Sequence, residues 1–202
     1  MGEEAVARIF PKRVAKPGLN FSYPEIEGPQ EKRVLKQMNE AITRKVRHLI
    51  RDQGYAPELT REVAGGYQVK LNAKGILSLR LEGTGNVPGD ALRTIAVKGL
   101  TFDLHSGDLF KFEDLFNDDC DYVSRLNGLI RQTLNAGDDE TVAEFGGVLK
   151  RQEFYMTETA LILVFPLPED TPAQGSVPEL AIGYPEVRDL IYKNGPIGRF
   201  LR

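Results

Sequence analysis

The chain has 202 residues, 41% hydrophobic and 27% charged, with a formal net charge of −3. That is enough chain for one well-packed domain, and its acidic balance argues against general nucleic-acid binding. The single cysteine excludes an internal disulfide and a multi-cysteine metal site, and no tryptophan is present to grip a sugar ring. The longest apolar run, 160–165, is far too short to cross a bilayer, which takes roughly 20 residues. The start, MGEEAVARIF, has neither the basic flank nor the apolar stretch of a signal peptide. Either the protein stays in the cytoplasm, or these residues belong to something longer.

In chain order, residues 5–16 read as one or two short extended pieces broken at Pro11 and closed by Pro17-Gly18. Leu19, Phe21 and Tyr23 alternate as in a half-buried strand that stops at Pro24. Gly28-Pro29 opens a long helix, with Pro29 suited to its first position. Leu35, Met38, Ile42, Val46 and Leu49 recur at steps of three and four and so share one face, and Gly54 supplies a C-terminal stop. The opposite face is basic, carrying Arg33, Lys36, Arg44, Arg47 and Arg51, interrupted only by Glu40. This stripe reads either as a site for an anionic polymer or as a solvated face, and the second is the commoner case.

After Pro57 the period changes to two. Residues 59–64 read as a strand and Gly65-Gly66 as a hairpin turn. Tyr67, Val69 and Leu71 alternate with polar residues, as do Leu77, Leu79 and Leu81. Gly83 to Gly89, GTGNVPG, breaks the pattern and reads as a surface turn, before alternation resumes over 92–97. The inward parity shifts between Val97 and Leu100 across Gly99, as a β-bulge would make it. Leu100, Phe102 and Leu104 then lead through Ser106-Gly107 to a returning strand, Leu109 to Phe112.

Asp118, Asp119 and Asp121 crowd the start of a second helix, where the dipole favours negative charge, and Val123, Leu126, Ile130 and Leu134 form its apolar stripe. Asp138-Asp139 repeats that pattern before a short helix ending near Gly146-Gly147. Residues 153–156 and 160–165 read as a hairpin through Thr157-Glu158-Thr159, and a Pro-rich loop, 166–178, leads to a last strand, 180–184, and a helical turn, 186–192. The sum is one α+β domain, 1–202, with halves 19–98 and 99–192. An antiparallel β-sheet meander packs against a long N-terminal helix and a second central helix, with a C-terminal hairpin-strand-helix unit.

No catalytic set assembles from these residues. A phosphate cradle needs a helix directly after its glycines, whereas GTGNVPG precedes a strand. The acids from Asp114 to Asp121 lack the spacing of a calcium loop and read as helix caps. Cys120, flanked by Asp119 and Asp121, is poorly placed to be a thiolate, and His48 and His105 have no nucleophile to serve. No cofactor, metal or catalytic residue is therefore expected. The surfaces singled out are two loops, 83–91 and 166–178, because loops on a rigid sheet commonly carry recognition. Their candidate ligand-binding side chains are Asn86, Asp90, Gln174 and Ser176. Tyr155 and Tyr184 read either as lining for such a surface or as core with a wet hydroxyl.

Four stretches, in order and spacing, resemble the RsiV-type extracytoplasmic domain family, a domain of unknown function. They are TFDLHSGDLFKFEDLF (Thr101 to Phe116), Tyr23-Pro24-Glu25-Ile26 with the helix after Pro29, Glu153 to Thr157 with Leu161 to Phe165, and Val177 to Ile182 with Tyr184 and Val187. The resemblance implies an α+β domain outside the membrane of mainly Gram-positive-type bacteria. It also implies the company of lysozyme, which the ectodomain of a membrane-anchored anti-sigma factor binds, or of a PdaC-type peptidoglycan deacetylase. One departure is that Asn86 to Ala91 stands where the family usually has a GGAHG-like element, so the histidine is missing. The expectation is a non-catalytic extracytoplasmic binding or sensing domain of the cell envelope, its partner a lysozyme-like protein or peptidoglycan and not a nucleic acid. The alternative is an accessory or catalytic domain of a wall-polysaccharide enzyme, which requires carboxylates such as Glu82, Asp90 and Asp103 to converge within about 5–10 Å. A third reading is a cytoplasmic protein that uses the basic helix.

Overall fold

A computed structural model describes residues 5–56, 61–89, 93–135, 146–166 and 177–201. The helix α1 (Lys32–Asp52) buries Val34, Met38, Ala41, Ile42, Val46 and Leu49, close to the stripe that periodicity identifies. It begins three residues after Pro29 and ends at Gln53 and Gly54, whose positive φ of 81° suits a glycine. The buried stripe lies on a five-stranded sheet ordered β1 (Arg8–Lys16), β2 (Leu19–Glu27), β3 (Glu62–Ala73), β4 (Ile76–Asn86) and β5 (Arg93–Asp103). Phe21, Leu77, Leu79, Leu81, Leu100 and Phe102 complete that core.

The α+β class is as the sequence implies, but the meander is interrupted once. β2 pairs with β3 in parallel over Leu19 to Phe21, whereas every other ladder in the described residues is antiparallel. The reason is α1 itself, because a helix between consecutive strands supplies the crossover that parallel pairing needs. Pro11 and Pro24 do not break their strands. They face each other across β1 and β2, and β1 is a sheet edge, where a missing N–H costs little.

A second sheet of three antiparallel strands, β6 (Glu153–Met156), β7 (Ala160–Val164) and β8 (Glu179–Gly183), packs on the face of β4 and β5 away from α1. The helix α2 (Tyr122–Asn135) joins it, with Leu126 and Ile130 in a core that includes Phe112, Phe116, Phe154, Met156 and Leu163. Asp121 accepts a 3.1 Å hydrogen bond from the Ser124 amide and so caps α2.

Three turn assignments are corrected. β3 runs straight through Gly65-Gly66, which do not turn, because a side chain at Gly65 would overlap the Phe21 ring, 2.1 Å from its ideal Cβ. β4 continues through Gly83, Thr84, Gly85 and Asn86. Those glycines admit α1, since a Cβ would lie 2.8 Å from Leu49 Cγ at Gly83 and 2.5 Å from the Gln53 carbonyl at Gly85. Gly99 makes no bulge, as β4 and β5 keep unbroken register from Ile76 opposite Asp103 to Asn86 opposite Arg93. The irregularity lies in β3, between Val69 and Leu71.

Gly99 is instead where the second sheet crosses. A Cβ there would lie 1.6 Å from the Phe154 carbonyl oxygen, and the Gly99 amide donates to Glu153 Oε2 at 3.2 Å. With that edge taken, the predicted return strand after Ser106-Gly107 shrinks to one bridge, Phe102 to Leu109, before the chain turns into a 3-10 segment at Glu113–Leu115. Gly99→Ala is expected to destabilise the protein by about 3 kcal/mol or more, because backbone rather than a flexible side chain blocks the methyl. Gly66→Ala, with nothing within 4 Å of its Cβ position, is the control and shifts the urea midpoint little.

Candidate functional site

The face of β4 and β5 that meets the second sheet is polar. Ser78 faces Thr101, Arg80 faces Gly99 and Glu82 faces Val97 across the ladder, and Asp103 ends the row opposite Ile76. Each polar group has a partner. Ser78 and Thr101 share a 2.8 Å hydroxyl contact, and the Met156 amide donates to Ser78 Oγ at 2.8 Å. Arg80, 8% exposed, donates through Nε to Glu179 Oε1 at 2.6 Å and through Nη1 to Glu82 Oε2 at 2.8 Å. Tyr155 donates to Glu179 Oε2 at 2.8 Å. Burial, then that hydrogen bond, pushes the Tyr155 phenol well above its ordinary range.

At the other end of the row Asp103 receives the His105 amide at 2.7 Å, the Ser106 amide at 3.1 Å and the Arg199 guanidinium. Burial alone would raise its pKa, but Arg199 and the two amides outweigh burial and hold it below the ordinary aspartate value of 3.8. Arg199 also donates to the Lys74 and Gly75 carbonyls, and Lys74 Nζ donates back to the Arg199 carbonyl at 3.2 Å. The C-terminal 3-10 turn, Ile197–Phe200, is thereby fixed onto the β3–β4 turn.

Glu82 and Glu179 meet only across the Arg80 guanidinium that neutralises them, and Glu82 and Asp103 do not converge. Glu82 lies six residues along β4 from the position opposite Asp103, a separation of roughly 20 Å at strand rise. That is too far for a glycosidase pair built from these two. His105 is exposed beside Gly75, and His48 is exposed on α1 next to Arg51. Cys120 is half-buried and donates to the Asn117 carbonyl at 3.0 Å. Tyr155 and Tyr184 are core, 4% and 2% exposed, with Tyr184 donating to the Thr157 carbonyl at 2.6 Å. Among the described residues no group of three or more metal-ligating side chains gathers, and no helix is long and apolar enough to cross a membrane.

Of the four candidate ligand-binding residues, Asn86 is the last residue of β4, half-buried and opposite the exposed Arg93. Asp90, Gln174 and Ser176 lie outside the described residues, as do the short helix expected after Asp138-Asp139 and most of the Pro-rich loop. The exit of the Pro-rich loop packs against β5. Val177, at the loop's exit into β8, is buried in one small cluster with Val97 and Tyr155, and Ile95, two residues after Arg93, packs against the same cluster. The C-terminal end of α1 reaches this place too. Thr94 Oγ1 donates to Gln53 Oε1 at 2.7 Å and receives the Arg61 guanidinium at 3.3 Å. Sequence reasoning missed Gln53, Arg61 and Thr94, because partners 41 and 33 residues apart leave no local pattern.

The outward face of α1 forms the other surface feature, an open hollow between side chains of this one helix. Lys36, Arg44, Arg47, His48 and Arg51 line it.

An α+β chain built this way, with a βαβ start and a second sheet on the polar face, has relatives among solved structures. It is similar in fold to a member of the DUF3298 family from Bacteroides fragilis, at 14% identity and TM-score 0.72, over 98% of this chain and 99% of that one. It is also similar to a DUF3298 family protein from Pseudomonas aeruginosa, at 14% identity and TM-score 0.65, over 93% and 94% of the two chains. At this identity the likeness is one of fold. No protein-family model matches the sequence, and no curated protein does.

Two substitutions test the structural roles. Arg80→Ala is expected to cost about 2 kcal/mol in chemical denaturation, less than a fully buried pair would, because Glu82 and Glu179 keep some solvent. Asp103 titrates lower when folded than unfolded, so its contribution is complete above 3.8 and vanishes as the pH falls through the folded value. Asp103→Asn is therefore less stable than wild type at pH 7, and the two denaturation curves converge in strong acid.

Proposed function

We propose that this chain is a non-catalytic binding domain of the bacterial cell envelope, working outside the cytoplasmic membrane, with wall glycan as its ligand. The observation that carries this reading is the fate of the interior polar groups. Arg80, Glu82, Glu179, Tyr155, Asp103 and Arg199 are all committed to one another and to backbone, which leaves the loop end as the place for recognition. The RsiV-type resemblance supports the envelope setting.

The contact surface in this reading is the end of the sheet where Asn86 pairs with Arg93 and Val177 leads into β8. The Asn86 amide suits a ligand that is rich in hydroxyl and acetamido groups. The missing histidine of the GGAHG-like element argues against a lysozyme-like protein as the main ligand.

Co-sedimentation with isolated sacculi is the test. Pelleting is expected to survive high salt, since hydrogen bonds to a neutral glycan are little screened. Asn86→Ala should lower the affinity by about fivefold to tenfold. Failure to pellet, with purified lysozyme captured instead, would replace the glycan by a protein ligand.

A further inference from the structure

We propose that the outward face of α1 binds a second and different ligand, a single phosphodiester-linked polyol chain without bases. Arg33, Lys36, Arg44, Arg47 and Arg51 fall on one stripe because they are spaced by three, four or seven to eight residues, with Glu40 in the remaining turn. The stripe runs for about 27 Å, roughly one cation per 5.4 Å turn. All five cations are exposed, and Lys36, Arg44, Arg47 and Arg51 border the open hollow on that face together with Glu40.

Their charge is largely uncommitted. Among the described residues neither Arg44 nor Arg47 has an ion-pair or hydrogen-bond partner. Lys36 reaches Glu40 only at 3.8 Å with both ends in solvent, and Arg51 makes long contacts of 3.4 Å to His48 and 3.7 Å to Asp52. Arginine is the side chain that matches phosphate oxygens in a planar two-point grip.

The same helix narrows the occupant. Its apolar face is spent on the core, so no hydrophobic surface is left for a partner helix or for insertion into a bilayer. A duplex presents two rows of phosphates, whereas this face offers one narrow stripe of cations. A single-stranded nucleic acid is held largely by stacking on aromatic rings, and α1 carries no Phe, Tyr or Trp. A flexible strand of phosphates with no bases to satisfy is what remains. The source of such a polymer in the envelope rests on the role proposed above, while the binding itself rests on α1 alone.

The probe is poly(glycerol phosphate) of defined length, followed by fluorescence anisotropy on the whole chain from about 50 mM salt upward. Contacts from Lys36, Arg44, Arg47 and Arg51, the four cations that border the hollow, predict a log–log salt slope of about −3. Arg44→Gln/Arg47→Gln should halve that slope and weaken binding at least tenfold, with an unchanged helical circular dichroism spectrum, since both side chains are exposed. No binding at low salt, or a double variant that binds as wild type does, overturns the proposal. So does tighter binding of an oligothymidylate with the same number of phosphates, which would make the face a nucleic-acid site. Pelleting on phosphatidylglycerol vesicles in the presence of excess free polymer would overturn it in favour of a membrane surface. Loss of salt-resistant sacculus binding with polymer binding intact would remove the glycan reading and support this one.

Discussion

The polar row on the back of β4 and β5 is the constraint that orders the rest of the molecule. Ser78, Arg80, Thr101 and Asp103 are four of the six buried polar residues among those described, and all four point away from α1. A buried hydroxyl or guanidinium without partners costs more than its hydrogen bond returns, so this face tolerates only a cover that supplies matching groups. The second sheet supplies them. The Met156 amide meets Ser78, Glu179 and Tyr155 close around Arg80, and Arg199 reaches Asp103 from the far end of the chain. Packing of apolar side chains alone would leave the sheets free to slide past each other, but these pairings admit one alignment.

That alignment requires contact of backbone with backbone. Gly99 lies opposite Arg80 and has no side chain to hold the second sheet off, so Phe154 and Tyr155 come down directly on β5. The edge of β5 is consumed in the same step. Glu153 caps the Gly99 amide while Lys45 of α1 and Lys98 lie 2.9 and 3.4 Å from Glu153 Oε1. One carboxylate thus ties the helix, the first sheet and the second sheet at a single point. It also blunts an edge that would otherwise invite another strand. The other edge, β1, is blunted differently, by Pro11 and by exposed Arg8, Lys12, Arg13 and Lys16.

Charges in the interior are bound to each other, and the two surfaces proposed for recognition share one element. α1 brings its C-terminal end to the loop end through Leu49 and Gln53, and it turns its cationic stripe to solvent along its whole length. The fold is shared at 14% identity with proteins from Bacteroides fragilis and Pseudomonas aeruginosa, since positions on helix stripes and strand faces can be refilled while the layers persist.

Much of the local structure is legible in the sequence because it depends on neighbours a few residues apart. The apolar stripe of α1, the alternation in β4 and β5, the hairpin at Thr157-Glu158-Thr159 and the capping role of Asp121 all follow from periods of 3.6 and 2 and from capping chemistry. Four glycines mislead for one reason, whereas Gly54 and Gly107 take the positive φ expected of them. Gly65, Gly83, Gly85 and Gly99 all mark places where something else passes close, yet a sequence displays a glycine that turns and a glycine that makes room in the same way. The basic stripe was visible, but not that Arg44 and Arg47 would be left without partners. Asn86 is visible as a polar residue near a break, but not that Val177 packs beside Val97 on the neighbouring strand. The sequence by itself determined the apolar helix stripes and the buried faces of the strands, since these rest on local periodicity. Only the tertiary structure decided the parallel step at β2, the full length of β3 and β4, the docking of the two sheets and the packing of Val177 on β5, because those depend on groups dozens of residues apart.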